Sequence, residues 1–348
     1  MAASDLTSQV ELNIGTRNSQ LALVQAERVS HALTGVHPGV KFPWHTVVVR
    51  GDVDKTSPFL KFAGPSDAAK NIWTEEMEAK LCAGELDLLV NCLKDMPTRL
   101  PEGCFLGAIV HRQDPTDALV VRSNLQQFKD LSELPSGSVI GTSSTRRKAL
   151  LKYRYPHLVV QECRGNLDTR LKKLDAPDSP YAAIIVATAG LVRIKMDHRI
   201  TKRLPASEFP YAVGQGALGI EIRANDAKTL EIVRKIEERP TRWVCLAERS
   251  LLRTIQGGCS SPVAVRCEVE GQSGSELSSF RLRLEGHVIH PYGTTQISAS
   301  AVAEVNSDTD AEALGAEVAG LLLKDGADDL LEEIRILNEK ELNARTIN

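Results

Sequence analysis

Between Ser138 and Gly190 one unit repeats. "SVIGTSS" reads as a strand and "TRRKALLKYR" as its helix, "LVVQEC" and "NLDTRLKKL" form a second pair, and "AAIIVATAG" is a third strand. Strands separated by helices pair in parallel, because the helix carries the chain back over a sheet face. The segments before this repeat follow the same grammar more loosely. "LNIGTR" (12–17) is a strand that runs into "SQLALVQAERVSHAL" (19–33), whose apolar spacing is helical and whose Ser19 suits an N-cap. "FPWHTVVV" (42–49) is a strand, "FAGPSDAAKN" (62–71) a loose loop, and "IWTEEMEAKLCAG" a helix ending at Gly84. "LDLLVNCL" (86–93) has the continuous apolar character of a buried parallel strand. "CFLGAIV" and "DALVVR" are strands divided by the hinge-like "HRQDPT" (111–116), and "YAVGQGALGIEIR" (211–223) is a second, glycine-rich crossing. A helix at 227–238 is expected to stop at Pro240.

After Pro240 the pattern changes. A helix at 242–255 leads into "IQGGCSSPVAV", followed by strands near 263–270, 280–289 and 295–305 and an Ala/Leu-rich helix from about Asp310 to Ile334. "EGQSGSELSS" (270–279) reads as an exposed hairpin loop. The fold expected from these residues is two α/β domains and a third, smaller α+β domain, which a chain of 348 residues can support.

Seven cysteines, Cys82, Cys92, Cys104, Cys163, Cys245, Cys259 and Cys267, are odd in number and have no CxxC spacing. The opening "MAASDLTSQVE" has no basic and apolar signal pattern, so it reads as a loose tail without a secretory signal. Reduced thiols are therefore expected, with neither a disulfide framework nor a zinc site. Most should be small core hydrophobes. Cys259 differs, because two glycines place it on a freely bending loop. A net charge of -3 argues against a general nucleic-acid binder, and no apolar run approaches the ~20 residues that cross a membrane. No long exposed apolar stripe demands a partner, so a cytoplasmic monomer is expected.

Three strand-to-helix junctions share one composition. "GTRNS" (15–19), "GTSSTRR" (141–147) and "CRGNLDTR" (163–170) each offer a capping Ser, Thr or Asn and at least one arginine. Free N–H groups at a helix start attract anions, and arginine adds a planar fork that matches carboxylate or phosphate. Such junctions lie at the carboxyl ends of the strands, where open α/β sheets bind ligands. Any one of them can be an ordinary cap beside a solvated arginine; three together point to an anion cleft. "LVNCLKDMPT" (89–98) ends a buried strand with Lys94 and Asp95, which would point to opposite faces if the strand stayed regular. There is no GxSxG, Walker A or HExxH motif, and "VGQG" (213–216) lacks dinucleotide spacing. Two readings fit these residues: an enzyme that acts on a polyanion and uses a cysteine covalently, or a two-domain anion-binding protein without catalysis.

In combination, "IGTRNSQLALVQAE", "RGDVDKT", "LKDMPT", "GTSSTRR", "RGNLDTRL", "ATAGL", "AVGQGALGIE", "AERSLL" and "GGCSSPVAV" resemble the hydroxymethylbilane synthases, also called porphobilinogen deaminases. The resemblance spans nearly the whole chain. It implies two α/β domains like those of periplasmic binding proteins, 1–115 with 214–238 and 116–213, and a C-terminal α+β domain, 239–348, carrying the cofactor cysteine. It implies that Cys259 holds a dipyrromethane cofactor through a thioether. Porphobilinogen then loses ammonia and couples to this primer, and after four rounds water releases the linear tetrapyrrole. By the same resemblance Asp95 is the catalytic carboxylate. Lys94, Ser143, Ser144, Arg146, Arg147, Arg164 and Arg170 hold the cofactor's carboxylates, and Arg17, Ser19, Gln25, Gln215 and Gly216 bind substrate. Neither metal nor nucleotide is implied. The chain departs from the family's common "VHSLKD" in having Asn91 and Cys92, and its 62–71 loop departs from the usual glycine- and lysine-rich form.

Overall fold

A computed structural model describes residues 10–50, 73–255, 261–270 and 280–346 of the chain. Cys259, the 62–71 loop and residues 271–279 of the expected hairpin loop lie outside the described residues.

The chain opens with β1 (Val10–Glu11), β2 (Ile14–Arg17), α1 (Gln20–Val36), β3 (Val40–Lys41) and β4 (Trp44–Val47). It continues with α2 (Glu75–Cys82), β5 (Leu88–Cys92) and β6 (Cys104–Val110). It then crosses to a second sheet and builds β7 (Asp117–Val121), β8 (Val139–Gly141), α3 (Thr145–Arg154), β9 (Val159–Gln161), α4 (Leu167–Asp175), β10 (Ala183–Ala187), α5 (Thr188–Arg193) and β11 (Lys202–Leu204). The return crossing leads into β12 (Leu218–Arg223), α6 (Ala227–Val233) and α7 (Arg239–Thr254). β13 (Val263–Glu270), β14 (Phe280–Ile289), β15 (Gln296–Val305), α8 (Asp308–Lys324) and α9 (Ala327–Thr346) complete it.

Two five-stranded sheets run β4-β2-β5-β12-β6 and β11-β7-β10-β8-β9. Both are mixed, where the repeat alone suggested parallel sheets. β2 is parallel to β4 and β5, and β8 to β9 and β10. β12 runs antiparallel to both β5 and β6, because it returns directly from the other lobe and not through a crossover helix. β7 likewise enters the second sheet antiparallel to β10. The apolar runs of β7 and β10 are explained by cover on both faces. Leu119, Val121 and Ile185 pack into one cluster and Ala118, Val120, Ile184 and Val186 into another.

The third sheet, β13-β14-β15, is antiparallel; one face is covered along its length, and the other is covered only where Ala264 and Ile289 pack against the second lobe. β14 accordingly alternates, with Phe280, Leu282, Leu284 and Val288 buried and Arg281, Arg283 and Glu285 turned outward. α7 and α8 close the buried face. They approach so tightly that a Cβ on Gly315 would stand 2.1 Å from the Ala247 carbonyl oxygen. α7 is also the wedge between this unit and the first lobe. Its Cys245 packs with Leu93, Met96, Ile109 and Ala217, while Val244, Leu251 and Leu252 face the third sheet.

Three local readings are corrected. Pro240 does not stop a helix; it sits in the first turn of α7, where its missing N–H would have had no partner. The preceding helix ends at Val233 and tightens into a 3-10 turn over Arg234–Ile236. The single helix expected from about Asp310 to Ile334 is two, α8 and α9, divided at Gly326 with φ +91°.

Candidate active site

The second and third sequence junctions meet beside the two crossings, through Ser143–Cys163 and Arg147–Gln215. Ser19 caps α1, its Oγ accepting from the Ala22 N–H at 3.3 Å. Ser144 caps α3 by accepting from the Arg147 N–H at 3.4 Å. Ser143 donates to the Cys163 carbonyl at 2.7 Å, which ties the second junction to the third. In the third, Arg170 Nε donates to the Gly165 carbonyl at 2.8 Å, and Gly165 has φ +113°. Arg164 pairs with Glu162 at 2.7 Å. Arg17 lies over the Trp73 ring, 4.1 Å from its centroid.

Lys94 and Asp95 lie on a 3-10 turn, Leu93–Asp95, just beyond β5. The opposite-face constraint of a strand therefore does not apply to them. This turn packs against the return crossing, where a Cβ on Gly214 would meet the Lys94 backbone nitrogen at 3.2 Å. Gly216 brings the two crossings backbone to backbone. Its φ is +87°, a Cβ there would stand 2.3 Å from the Gln113 carbonyl oxygen, and its own carbonyl accepts from Gln113 N–H at 3.2 Å.

Between these glycines, Gln215 acts as a junction box. Its Nε2 donates to the Pro115 carbonyl at 2.7 Å and to Asp117 Oδ1 at 2.9 Å. Its Oε1 faces Lys94 Nζ and Arg147 Nη2, each at 3.5 Å. Asp117, fully buried, anchors two arginines. It accepts from Arg147 Nε and Nη2 at 3.1 and 2.7 Å and pairs with Arg146 Nη2 at 2.8 Å. Burial alone would raise its carboxyl, but Arg146 and Arg147 outweigh that and hold it down at about 2. The other end of Arg146 donates to the Pro210 carbonyl at 2.7 Å, so this arginine is committed to the interior.

The charge balance of this region is uneven. Lys94, Arg146, Arg147 and Arg170 face two carboxylates, Asp95 and Asp117. Burial pushes the Lys94 ammonium down, with Asp95 opposing and Arg147 reinforcing. Burial likewise lowers Arg170, with Arg147 adding to it. Among the described residues neither Lys94 nor Arg170 has an ion-pair partner; their contacts are the Gln215 amide and the Gly165 carbonyl. Asp95 is half-buried, and among the described residues its carboxylate accepts no hydrogen bond. A surplus of cations, Arg146 and Arg147 buried and Lys94 and Arg170 partly so, around one carboxylate without a hydrogen bond among the described residues suits a ligand bearing several carboxylates.

Several residues of this region were not singled out in the sequence. Asp117 is one. Arg112 is another: it pairs with buried Glu248 at 2.7 Å and donates to the Gln215 carbonyl at 2.8 Å, while Glu248 accepts from the Gly214 N–H at 2.8 Å. Arg193, also buried, donates to the Gly216 carbonyl at 2.6 Å. A charged residue inside a continuous apolar run, as in "DALVV" and "WVCLAERSLL", is the signal that could have found Asp117 and Glu248. Gln25 is buried on α1 and donates to Cys92 Sγ at 3.0 Å, so the Cys92 departure is met by a specific contact.

Both flanks of the Cys259 segment are tied to this region. On the α7 side, Arg249 Nη2 donates to the Pro97 carbonyl at 2.7 Å, two residues beyond Asp95. On the β13 side, Val265 and Tyr211 exchange backbone hydrogen bonds of 2.8 and 3.0 Å, which ties the strand to the return crossing.

Residues 12–231 match the family model described as porphobilinogen deaminase, dipyromethane cofactor binding domain. The chain belongs to the porphobilinogen deaminase family. Residues 243–324 match the model of the same family's C-terminal domain, the part that includes Cys259. Porphobilinogen deaminase of Yarrowia lipolytica is 43% identical over 332 residues, covering 94% of each chain. That of Synechococcus elongatus is 44% identical over 326 residues, covering 93% of this chain and 95% of its own. Among solved structures, the probable amino-acid ABC transporter extracellular-binding protein ytmK of Bacillus subtilis overlaps 70% of this chain and 97% of its own, with a TM-score of 0.39 and 11% identity. Membership of the porphobilinogen deaminase family sets aside the alternative of an anion-binding protein without catalysis. The cofactor-binding match contains all three arginine junctions, the Lys94–Asp95 turn and Gln215. Among the described residues no helix is long and apolar enough to cross a membrane.

Proposed function

We propose that this chain is a hydroxymethylbilane synthase, a transferase that deaminates four porphobilinogen molecules, joins them head-to-tail on a dipyrromethane primer held by Cys259, and releases the linear tetrapyrrole by hydrolysis. The observation that carries the reading is the Asp95 carboxylate, without a hydrogen bond among the described residues, beside a partly buried surplus of cations.

When bound, dipyrromethane supplies a pyrrole carbon as nucleophile. Its carboxylates fit Lys94, Arg147, Arg164 and Arg170, with Ser143 and Ser144 holding the loops that present them. Arginine forks bind carboxylates in two places at once, and that fixes orientation as well as charge. Arg146 acts from behind: with Asp117 it holds Arg147 in place. Arg17, Ser19 and Gln25 lie at the first junction, where the incoming porphobilinogen's own carboxylates would be met, and Gln215 and Gly216 hold the crossing beside it. Asp95 faces the charge that develops on the substrate's pyrrole nitrogen as ammonia leaves. A fixed carboxylate stabilises that charge without reorganising, and the same oxygen can take the proton lost on coupling.

The same reading divides the chain into three domains, 1–115 with 214–238, 116–213 and 239–348. In support, each unit supplies the strands of its own sheet apart from the short β1–β3 pair. It also carries a cytoplasmic monomer, which light scattering on a sizing column checks. The central test is intact mass. The purified protein should weigh more than its polypeptide by one dipyrromethane, mapped to Cys259, and Cys259→Ser should fold, lack the adduct and fail to turn over. A fully active enzyme without the adduct would refute the proposal.

A further inference from the structure

Away from the cationic cluster, two thiols face each other. Cys82 ends α2 and Cys104 begins β6, and their sulfurs are 3.7 Å apart. A disulfide needs about 2.0 Å, a gap within reach of side-chain rotation. The backbone is shaped to allow the approach. Gly103 has φ +87°, and a Cβ there would stand 3.2 Å from the Cys82 sulfur. Cys82 is exposed and Cys104 partly buried, so an outside reagent meets Cys82 first.

Behind Cys104 stands Glu221 on β12, fully buried, with neither carboxylate oxygen in a hydrogen bond of ordinary geometry. Burial, and then the neighbouring Glu78, raise its carboxyl to about 8. Burial, and then Glu221, push the Cys104 thiol well up. Cys104 is therefore inert by itself and reacts only once Cys82 carries a sulfur leaving group. None of these groups belongs to the machinery assigned above.

We propose that Cys82 and Cys104 are a redox-sensitive dithiol that closes to an intramolecular disulfide by exchange with a small-molecule disulfide such as oxidised glutathione. The Cys82 thiolate attacks one sulfur of the reagent and expels the first glutathione thiolate, which takes a proton. Cys104 attacks the Cys82 sulfur and expels the second glutathione as thiolate, which takes the proton that Cys104 gives up. Two S–H bonds and the reagent's S–S bond are lost, one protein S–S bond and two glutathione thiols form, and the two electrons reside on glutathione. The product staples α2 to the edge strand β6.

The test uses reduced holoenzyme incubated at graded ratios of oxidised to reduced glutathione, trapped with N-ethylmaleimide and mapped by peptide mass. The expected result is a linked pair of peptides containing Cys82 and Cys104, a loss of ~2 Da from the protein, and reversal by dithiothreitol. Cys104→Ser should instead accumulate glutathione on Cys82, because nothing resolves the mixed disulfide. Full alkylation of both cysteines at every ratio would overturn the proposal. So would a glutathione adduct on Cys82 that persists in the unmutated enzyme, or a disulfide from either thiol to a different cysteine.

Discussion

Replacing Asp117 by Asn tests whether the cleft's arginines are held in place from behind. The substitution keeps the shape and removes a charge that two buried guanidiniums share. A folded carboxyl near 2 against an unfolded value near 3.8 is worth about 2–3 kcal/mol when both forms are ionised. The sign is fixed by the direction of the shift. The folded value is depressed, so this stabilisation is complete above about pH 4 and is lost as pH falls toward 2. The variant should lose more than that at pH 7, about 3–5 kcal/mol, because Arg146 and Arg147 are left buried without their anion. Gln215 would also keep its carbonyl partner at Pro115 while losing its carboxylate partner. Urea unfolding followed by circular dichroism measures the difference, with the exposed Asp178→Asn as a control expected within about 0.5 kcal/mol of the unmutated protein. The gap should stay constant between pH 7 and about pH 5, above the range in which Asp117 titrates. An Asp117→Asn variant as stable as the control would refute the reasoning. It would mean that the two arginines find other partners or water.

Asp95→Asn should fold normally and lower turnover at least ~100-fold, the scale of losing one well-placed electrostatic stabiliser; turnover within a few-fold of the unmutated enzyme would remove Asp95 from the chemistry. Arg147→Ala and Arg164→Ala should each stall elongation or cofactor loading, read as a truncated ladder of enzyme–intermediate complexes on anion exchange, at about 2–5 kcal/mol per unpaired carboxylate. Lysine should not fully rescue either. The two should part on stability: Arg164 pairs with the exposed Glu162, worth about 0–1 kcal/mol, whereas removing Arg147 leaves buried Asp117 with one cation, Arg146, and the Gln215 amide. Gly216→Ala should destabilise by more than about 1 kcal/mol and reduce activity, since its Cβ would collide with the Gln113 carbonyl and its φ suits glycine. A variant as stable and active as the unmutated enzyme would show that the crossings need not pack backbone to backbone.

The elements legible in the sequence were those with local causes. Ser19 and Ser144 announced their helices because a cap acts within three residues. β7 and β10 announced themselves because cover on both faces leaves no polar alternation to obscure them. The direction of β12 had no local cause: whether a strand enters parallel or antiparallel depends on which lobe the chain has just left. The same distinction runs through the site. Its arginines were visible as a junction pattern, yet the group that orients two of them, Asp117, lies 30 residues before Arg147 and carries no motif. Net charge was equally uninformative, because a chain at -3 holds a cationic cleft only if its acids are placed elsewhere. Burial makes that separation effective. Surface acids beyond about 10 Å are screened by salt, while Lys94 and Arg170, partly buried, and Arg147, buried, act on one another at close range with less screening. The cleft's affinity for carboxylates therefore follows from which cations the fold buries together, a property of the two crossings and of Asp117, and not of the chain's charge total.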